Sequence, residues 1–151
     1  MDEGLRAAVL DYLARHNVLT LATAGPAGPW AAGVFYVNEG LRLYFLSSPR
    51  SRHAENLAAD PRVAGAVHED YRDWPEIRGI QLEGRAGLVP DADVERVRRL
   101  YAAKFPVVAD LGKAPLAIAT ALARVRWYEL APARLHFIDN SAGFGKRRQL
   151  L

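Results

Sequence analysis

The feature that most constrains this fold is a run of alanine, glycine and proline in the middle of a long uncharged segment. Residues 17–38 carry no charged side chain, and a stretch of that length is close to what a membrane-spanning helix needs. The run Ala24-Gly25-Pro26-Ala27-Gly28-Pro29 interrupts it, and such a run is typical of a turn. We therefore predict two strands joined by a tight connection, and no membrane span.

A second hairpin follows the first. Val18–Thr23 and Trp30–Val37, on either side of the turn, are rich in the apolar and β-branched residues that strands favour. Asn38-Glu39-Gly40 predicts a tight reversal into a third strand at Leu41–Ser47. Two hairpins in succession predict an antiparallel arrangement.

The rest of the chain alternates between helical and strand patterns. Apolar periodicity predicts helices at 2–16, 51–59 and 90–104, and two short helical pieces within 107–122. Further strands are predicted at 62–68, 77–89, 125–130 and 135–138, with a polar loop at 69–76. Pro132, which has no N–H for a sheet ladder, is taken to separate the last two strands. About seven short strands with flanking helices predict a small antiparallel barrel, which removes exposed sheet edges.

Composition excludes several classes of protein. A chain of 151 residues is expected to form a single domain over residues 1–151. It has no cysteine, which excludes disulfides and cysteine-ligated metals and is compatible with the cytosol. The opening Met-Asp-Glu does not resemble a signal peptide, so we expect a cytoplasmic protein. The net charge of +3 is mild and scattered, so no nucleic-acid partner is expected.

Three stretches, in this order, carry a resemblance to a known family. They are Ser51-Arg52-His53-Ala54-Glu55-Asn56-Leu57 with Asp60-Pro61-Arg62-Val63, then Gln81-Leu82-Glu83-Gly84-Arg85-Ala86, then Tyr101-Ala102-Ala103-Lys104-Phe105-Pro106. Together they resemble the FMN-binding split-barrel proteins, the pyridoxamine 5'-phosphate oxidase-like group. The resemblance covers nearly the whole chain. It implies a mainly β, antiparallel, Greek-key-like split barrel with flanking helices, and a homodimer with the cofactor site at the subunit interface.

The resemblance places the phosphate of FMN at the junction between the third strand and the following helix. Ser47, Ser51, Arg52 and His53 fall where the family grips the phosphate and ribityl chain. Independently, a helix N-terminus with hydroxyls and basic side chains suits a phosphate dianion. The oxidase usually has lysine in place of His53, and histidine is a weaker, pH-dependent cation. The alternative is that these residues are simply a solvated helix start.

The flavin ring is expected along the small residues of the second strand. Ala32, Gly33 and Val34 leave room for a flat ring and offer backbone groups to its edge. The alternative is a strand that packs closely against another element. The resemblance further implies that Arg78 and Gln81 reach the cofactor from the partner subunit, although simple alternation would also leave Gln81 in solvent.

The C-terminal segment resembles a small subfamily of these proteins. Its residues are Asp139-Asn140-Ser141-Ala142-Gly143-Phe144-Gly145-Lys146. One interpretation folds this tail over the site, with Lys146 against the phosphate or an anionic substrate and Phe144 over the ring. The other is a frayed basic tail, which is common at termini.

No side-chain set in the sequence resembles a self-sufficient catalyst. The four histidines lack metal-ligand spacing, so no metal site is expected, and no serine lies in a Gly-x-Ser-x-Gly turn. A bound FMN would therefore carry the chemistry, and we predict an FMN-dependent oxidoreductase acting on a small molecule. Arg134-Leu135-His136 matches the oxidase's substrate signature only in part, which disfavours the oxidase reaction itself. The alternatives are a deazaflavin- or haem-binding split barrel and a non-catalytic ligand-binding module.

Overall fold

The two predicted hairpins form as expected and continue into a seven-stranded antiparallel sheet. A computed structural model describes residues 1–109 and 115–151. Its main elements are α1 (Glu3–Arg15), β1 (Val18–Gly25), β2 (Gly28–Glu39), β3 (Arg42–Ser47), α2 (Arg52–Ala59), β4 (Arg62–Val67), β5 (Arg78–Leu88), α3 (Val94–Lys104), α4 (Leu116–Leu122), β6 (Arg126–Asp139) and β7 (Arg147–Gln149).

The sheet closes into a barrel of six strands. The strand order is β3-β2-β1-β4-β5-β6-β7, and an additional pairing of β3 with β6 completes the circle. Because β4 lies beside β1 rather than beside β3, the first four strands follow the Greek-key order. The mainly β, antiparallel, Greek-key-like barrel with flanking helices is confirmed. Among the described helices, none is long and apolar enough to span a bilayer.

Alternation along the strands fills the barrel with large apolar side chains. Leu19 and Leu21 from β1, Tyr36 from β2 and Phe45 from β3 are all fully buried. Helix α1 packs Leu5, Val9, Tyr12 and Leu13 against the same core, at the spacing that the sequence predicts. Helix α3 covers a second cluster through Val97 and Tyr101, which pack with Val37 and Tyr44 on the sheet.

Lys104, from the third stretch of the family resemblance, has a structural role. Its ammonium lies 4.2 Å from the centre of the Tyr36 ring and donates to the carbonyl of Leu13, at the end of α1. The hydroxyl of Tyr36 donates to the same carbonyl at 2.7 Å. Cations near the carbonyl end of a helix stabilise it, so these two side chains fasten α1 to the barrel.

The prediction of two closing strands separated by Pro132 is wrong. β6 runs unbroken from Arg126 to Asp139. Pro132 lies opposite Gly84 at a β-bulge, where Ala133 is an extra residue of β6 between the partners of Glu83 and Gly84, and proline is tolerated at bulges. A Cβ on Gly84 would lie 2.1 Å from the carbonyl oxygen of Ala131. The glycine of the Glu-Gly motif is therefore required for close strand pairing.

Some predicted helices and loops differ from the structure in their boundaries. The predicted helix at 90–104 begins with a separate 3-10 turn, Asp91–Asp93, before α3. The predicted loop at 69–76 contains a 3-10 turn at Trp74–Glu76. Two short helical pieces are predicted within 107–122, and the structure has a 3-10 turn at Pro106–Val108 and helix α4. Residues 110–114 of this segment lie outside the described residues.

Replacing Gly84 with alanine should destabilise the barrel at the β5–β6 bulge. The added methyl group meets backbone atoms that cannot rotate away, so we expect the free energy of unfolding to fall by about 2–3 kcal/mol. Gly87→Ala is the matched control, because it lies on the same strand and its Cβ would meet nothing within 4 Å. Urea unfolding monitored by tryptophan fluorescence should show that Gly87→Ala changes the free energy of unfolding by no more than about 1 kcal/mol. Equal stabilities of the two variants would contradict this account of the bulge.

Candidate functional site

The junction between β3 and α2 is built on three serines. Ser47, the last residue of β3, is buried, and Ser51 caps α2 by accepting a hydrogen bond from the amide of Ala54 at 3.3 Å. The hydroxyl of Ser51 donates to the carbonyl of Ser48 at 2.7 Å. Ser51 is therefore the N-cap of α2.

His53 links two of these hydroxyls. Its Nε2 lies 2.7 Å from Ser47 Oγ and 3.2 Å from Ser51 Oγ. Burial lowers the pKa of His53 below its ordinary value, so the ring is neutral at pH 7. Which of Nε2 and Ser47 Oγ donates depends on the ring tautomer; with the proton on Nε2, the Ser47 hydroxyl is left to donate to a ligand. At neutral pH His53 therefore orients hydroxyls rather than supplying charge.

Arg52 holds the positive charge at the start of α2. Its guanidinium carbon lies 4.3 Å from the centre of the Trp30 ring, and its Nη2 donates to the carbonyl of Ala27 at 3.2 Å. Ala27 belongs to the turn between β1 and β2. Arg52 therefore connects the helix start, which lies beside the serine cluster of Ser47, Ser48 and Ser51, to the Pro/Gly hairpin.

The strand predicted to contact a flat ring presents two different faces. The side chain of Val34 is buried in the core and Ala32 lies half-buried on the same side, so only Gly33 belongs to the outer face. On that outer face small residues pair across three neighbouring strands: Ala31 pairs with Ala22, and Ala22 pairs with Ala64. The result is a shallow surface without bulky side chains across β2, β1 and β4.

A second group of predicted residues lies around the start of β5. Arg78 forms an ion pair with Asp139 at 3.3 Å and donates to the hydroxyl of Ser141. Gln81 is exposed on the outer face and accepts a hydrogen bond from Arg147 on β7 at 3.3 Å. Lys146 is also exposed, immediately before β7.

Asn140 explains why the tail is ordered rather than frayed. Its amide nitrogen donates to the Trp74 carbonyl at 2.9 Å, and its amide oxygen accepts from the backbone of Gly145 at 3.0 Å. Its backbone N–H donates to the carbonyl of Ile77. These bonds fasten the tail to the β4–β5 connection and bring the rings of Trp74 and Phe144 within 5.7 Å, although 67% and 74% of these residues stay exposed.

One chain does not bring its two groups of predicted site residues together. Ser47 pairs with Arg126 at the start of β6, whereas Arg78 pairs with Asp139 at its end. At the usual rise of a strand, these ends are separated by roughly 40 Å of extended chain. Lys146 and Phe144 lie at the Arg78 end, so within one chain they do not cover the β3–α2 junction.

Comparisons with known proteins show which family the chain belongs to. A sequence profile of the family described as pyridoxamine 5'-phosphate oxidase matches residues 5–139. The chain belongs to this family. Within it, a UPF0306 protein from Enterobacter is 32% identical over 143 residues, covering 93% of this chain and 92% of its own. The resemblance noted in the sequence is thereby confirmed.

Solved structures show the same fold. A Listeria innocua protein assigned to the pyridoxamine 5'-phosphate oxidases has a TM-score of 0.69 at 18% identity, covering 89% of this chain and 98% of its own. A haem-binding protein from Mycobacterium smegmatis also has a TM-score of 0.69, at 24% identity over 90% of this chain. The chain spans about half, 53%, of the length of that protein. At these identities the structures establish the fold alone.

Two parts of the site escaped sequence reasoning. The contact of Trp30 with Arg52 joins residues far apart in sequence, and no local pattern announces it. The hydrogen bonds of Asn140 likewise depend on where the β4–β5 connection lies. The sequence feature that could have indicated the Asn140 hydrogen bonds is the pair Asp139-Asn140 ahead of Gly143 and Gly145, since such residues are typical of turns stabilised by side chains.

Replacing Asn140 with alanine should release the tail while leaving the barrel folded. The change removes two side-chain hydrogen bonds, each worth about 0.5–1.5 kcal/mol. Hydrogen exchange should become faster over residues 143–146, which lie between Asn140 and β7, and the barrel strands should keep their protection. Gln149→Ala, an exposed change in β7 itself, is the control and should leave exchange unchanged. If Asn140→Ala also left the tail protected, another contact would have to hold it.

Proposed function

We propose that this protein binds FMN, with its phosphate at the β3–α2 junction. The observation that carries the proposal is that two serine hydroxyls and a helix N-terminus lie together at this junction, with Arg52 as the first residue of the helix. Helix N-termini favour anions, and hydrogen bonds to charged groups contribute about 1.5–3 kcal/mol each. Ser47, Ser51 and Arg52 would hold the phosphate, once the Ser51 hydroxyl turns from the Ser48 carbonyl toward it, and His53 would keep the Ser47 hydroxyl in place.

The flavin ring would lie beside the small residues of β2. The backbone of Ala32–Val34 offers hydrogen-bonding groups to the ring edge, and Gly33 presents no side chain that would block it. Arg78, Gln81 and Lys146 would reach the same ring only from a second subunit, because their own chain holds them at the far end of β6.

A symmetric homodimer therefore forms part of the proposal. The small-residue face of β2, β1 and β4 is accessible, and Val18 and Phe35 beside it are 45% and 57% exposed although both are large and apolar. Exposed apolar patches of this kind often mark interfaces, and two-fold pairing is the commonest symmetry. Burying this face against its copy would place each β3–α2 junction near the partner's Arg78 end.

The proposed activity is that of an FMN-dependent oxidoreductase acting on a small molecule. The flavin supplies the hydride chemistry when bound. The chain's residues bind the phosphate, position the ring and exclude water from one of its faces. Among the described residues, no group of three metal-ligating side chains gathers, so the proposal assigns no metal to the reaction.

The absorption spectrum of the purified protein separates this proposal from its alternatives. A flavin band, or its appearance after FMN is added, supports FMN binding, and bleaching of that band by NADH or NADPH supports an enzyme. A Soret band would instead indicate haem, which the Mycobacterium smegmatis protein of the same fold is described as binding. A colourless protein that does not take up FMN would contradict the proposal and leave a ligand-binding module of another kind.

Arg52→Glu should weaken FMN binding by well over tenfold. It removes a charge-assisted contact and places a carboxylate beside the phosphate, and a loss of about 1.4 kcal/mol already corresponds to tenfold. The control is Arg99→Glu on α3, which makes the same charge change on a different element. Calorimetric titration with FMN measures the dissociation constant of both variants. Urea unfolding in parallel measures how much stability Arg52→Glu loses with the Trp30 contact. Unchanged affinity in Arg52→Glu would remove this junction from the site.

A further inference from the structure

A cavity lies between helices α3 and α4 and the outer face of strands β3 and β6. Its volume is about 310 Å³, at the lower end of the range of small-molecule sites, which usually occupy about 300–1,000 Å³. We call it the α3–α4 cavity. Apart from Arg98, the described residues that line it are all apolar: Leu46, Val108, Ala109, Leu122, Val125 and Trp127.

Separate segments of the chain supply the walls of this cavity. Leu46 on β3 and Trp127 on β6 are direct partners in the sheet and form its base. Val108 comes from the 3-10 turn after α3, and Leu122 is the last residue of α4. All four side chains are only half-buried. Water therefore meets a concave apolar surface, and the hydrophobic effect would favour an apolar ligand that displaced this water.

Arg98 is the single charged group among the described lining residues. Its Nε and Nη2 donate to the carboxylate of Glu95 at 3.0 and 2.7 Å. Because a guanidinium has five N–H donors, those on Nη1 remain available for a second acceptor. Glu95 also pairs with Arg99 at 3.3 Å, so one carboxylate serves two cations and a net positive charge remains. This charge would favour one anionic group on a ligand of the cavity.

We propose that the α3–α4 cavity binds a medium-chain monocarboxylate, with its hydrocarbon chain against Leu46, Leu122 and Trp127 and its carboxylate paired with Arg98. The apolar lining fits a hydrocarbon chain, since a polar group there would lose its hydrogen bonds to water. One guanidinium matches one carboxylate through charge-assisted hydrogen bonds. The small volume favours an unbranched chain of medium length over a long-chain fatty acid.

This inference does not rest on the proposed function. None of the residues proposed to hold the phosphate of FMN lines the α3–α4 cavity. The carboxylate site and the FMN site can therefore be tested separately in the same chain.

Octanoate is the probe for the test, and Trp127 is the reporter. In the double variant Trp30→Phe/Trp74→Phe, Trp127 is the one tryptophan left of the three in the chain. Octanoate should change its fluorescence saturably, because the hydrocarbon chain replaces water beside the indole ring. Octanol has the same chain without the charge and should bind about two- to fivefold more weakly, the range expected for a partly exposed ion pair. Calorimetry on the unmodified chain measures the same two dissociation constants independently.

Two pairs of variants, measured by calorimetry, locate the bound octanoate. Leu122→Trp fills the cavity and should weaken octanoate binding by more than about tenfold. Leu116→Trp makes the same change on α4 at a residue that is 82% exposed, and should leave the affinity unchanged. Arg98→Gln should remove the advantage of octanoate over octanol. Arg99→Gln removes the other cation that shares Glu95, outside the cavity lining, and should keep that advantage.

The outcomes either support or overturn this inference. Absence of saturable octanoate binding to the unmodified chain would overturn it, and so would equal affinities in Leu122→Trp and Leu116→Trp. An advantage over octanol that persists in Arg98→Gln would overturn the pairing of the carboxylate with Arg98.

Arg52→Glu distinguishes this site from the proposed FMN site. It should weaken FMN binding and leave octanoate binding unchanged. If it abolished octanoate binding as well, octanoate would bind at the β3–α2 junction and the inference would fail. If octanoate binds as described and FMN does not bind at all, the proposed function fails and this inference stands.

Discussion

The pairing of β3 with β6 is the constraint on which the rest of the site depends. It closes the barrel, and it places Ser47 beside Arg126 at one end while the other end of β6 pairs with β5 at Arg78. Because the first residue of α2 follows β3 after a short turn, closure also decides where the helix N-terminus lies. The serine cluster therefore occupies a position that this single register determines.

The same register explains why the proposed site needs two chains. A flavin ring is far shorter than the strand that separates the serine cluster from Arg78, so one chain cannot present both groups to one ring. A two-fold dimer through the small-residue face would bring each junction toward the opposite end of the other barrel. Under this account alanines at 22, 31 and 64 matter because their small side chains allow two sheets to approach closely, while the specific contacts come from charged residues at the ends.

Local patterns predicted much of the fold, and the failures have a common physical origin. The α1 face at Leu5, Val9 and Tyr12 and the two hairpins follow from periodicity and turn chemistry within short windows. Pro132 was misjudged because its tolerance depends on a bulge opposite Gly84, a residue far away in sequence. β7 was missed because Arg147–Gln149 has no apolar alternation, and its position is secured by backbone pairing and by Asn140.

The candidate site shows the same difference between residues that are neighbours along the chain and contacts that depend on long-range packing. The sequence placed Ser47, Ser51, Arg52 and His53 at one junction, where the structure also has them, because they are neighbours along the chain. Sequence alone did not predict that burial would leave His53 neutral, since the hydroxyls around it come together only when β3 and α2 pack. Nor did it reveal that Arg78 and Lys146 lie at the opposite end of the barrel.

The most direct test of the central claim is FMN binding by mixed dimers. Arg52→Glu chains and Arg78→Glu chains carry different affinity tags, are co-expressed, and are purified as dimers containing one of each. If each site takes Arg52 from one subunit and Arg78 from the other, the mixed dimer has one intact site and binds one FMN with nearly unmodified affinity, while both parent dimers bind weakly. A mixed dimer that binds FMN no better than its parents would contradict a shared site.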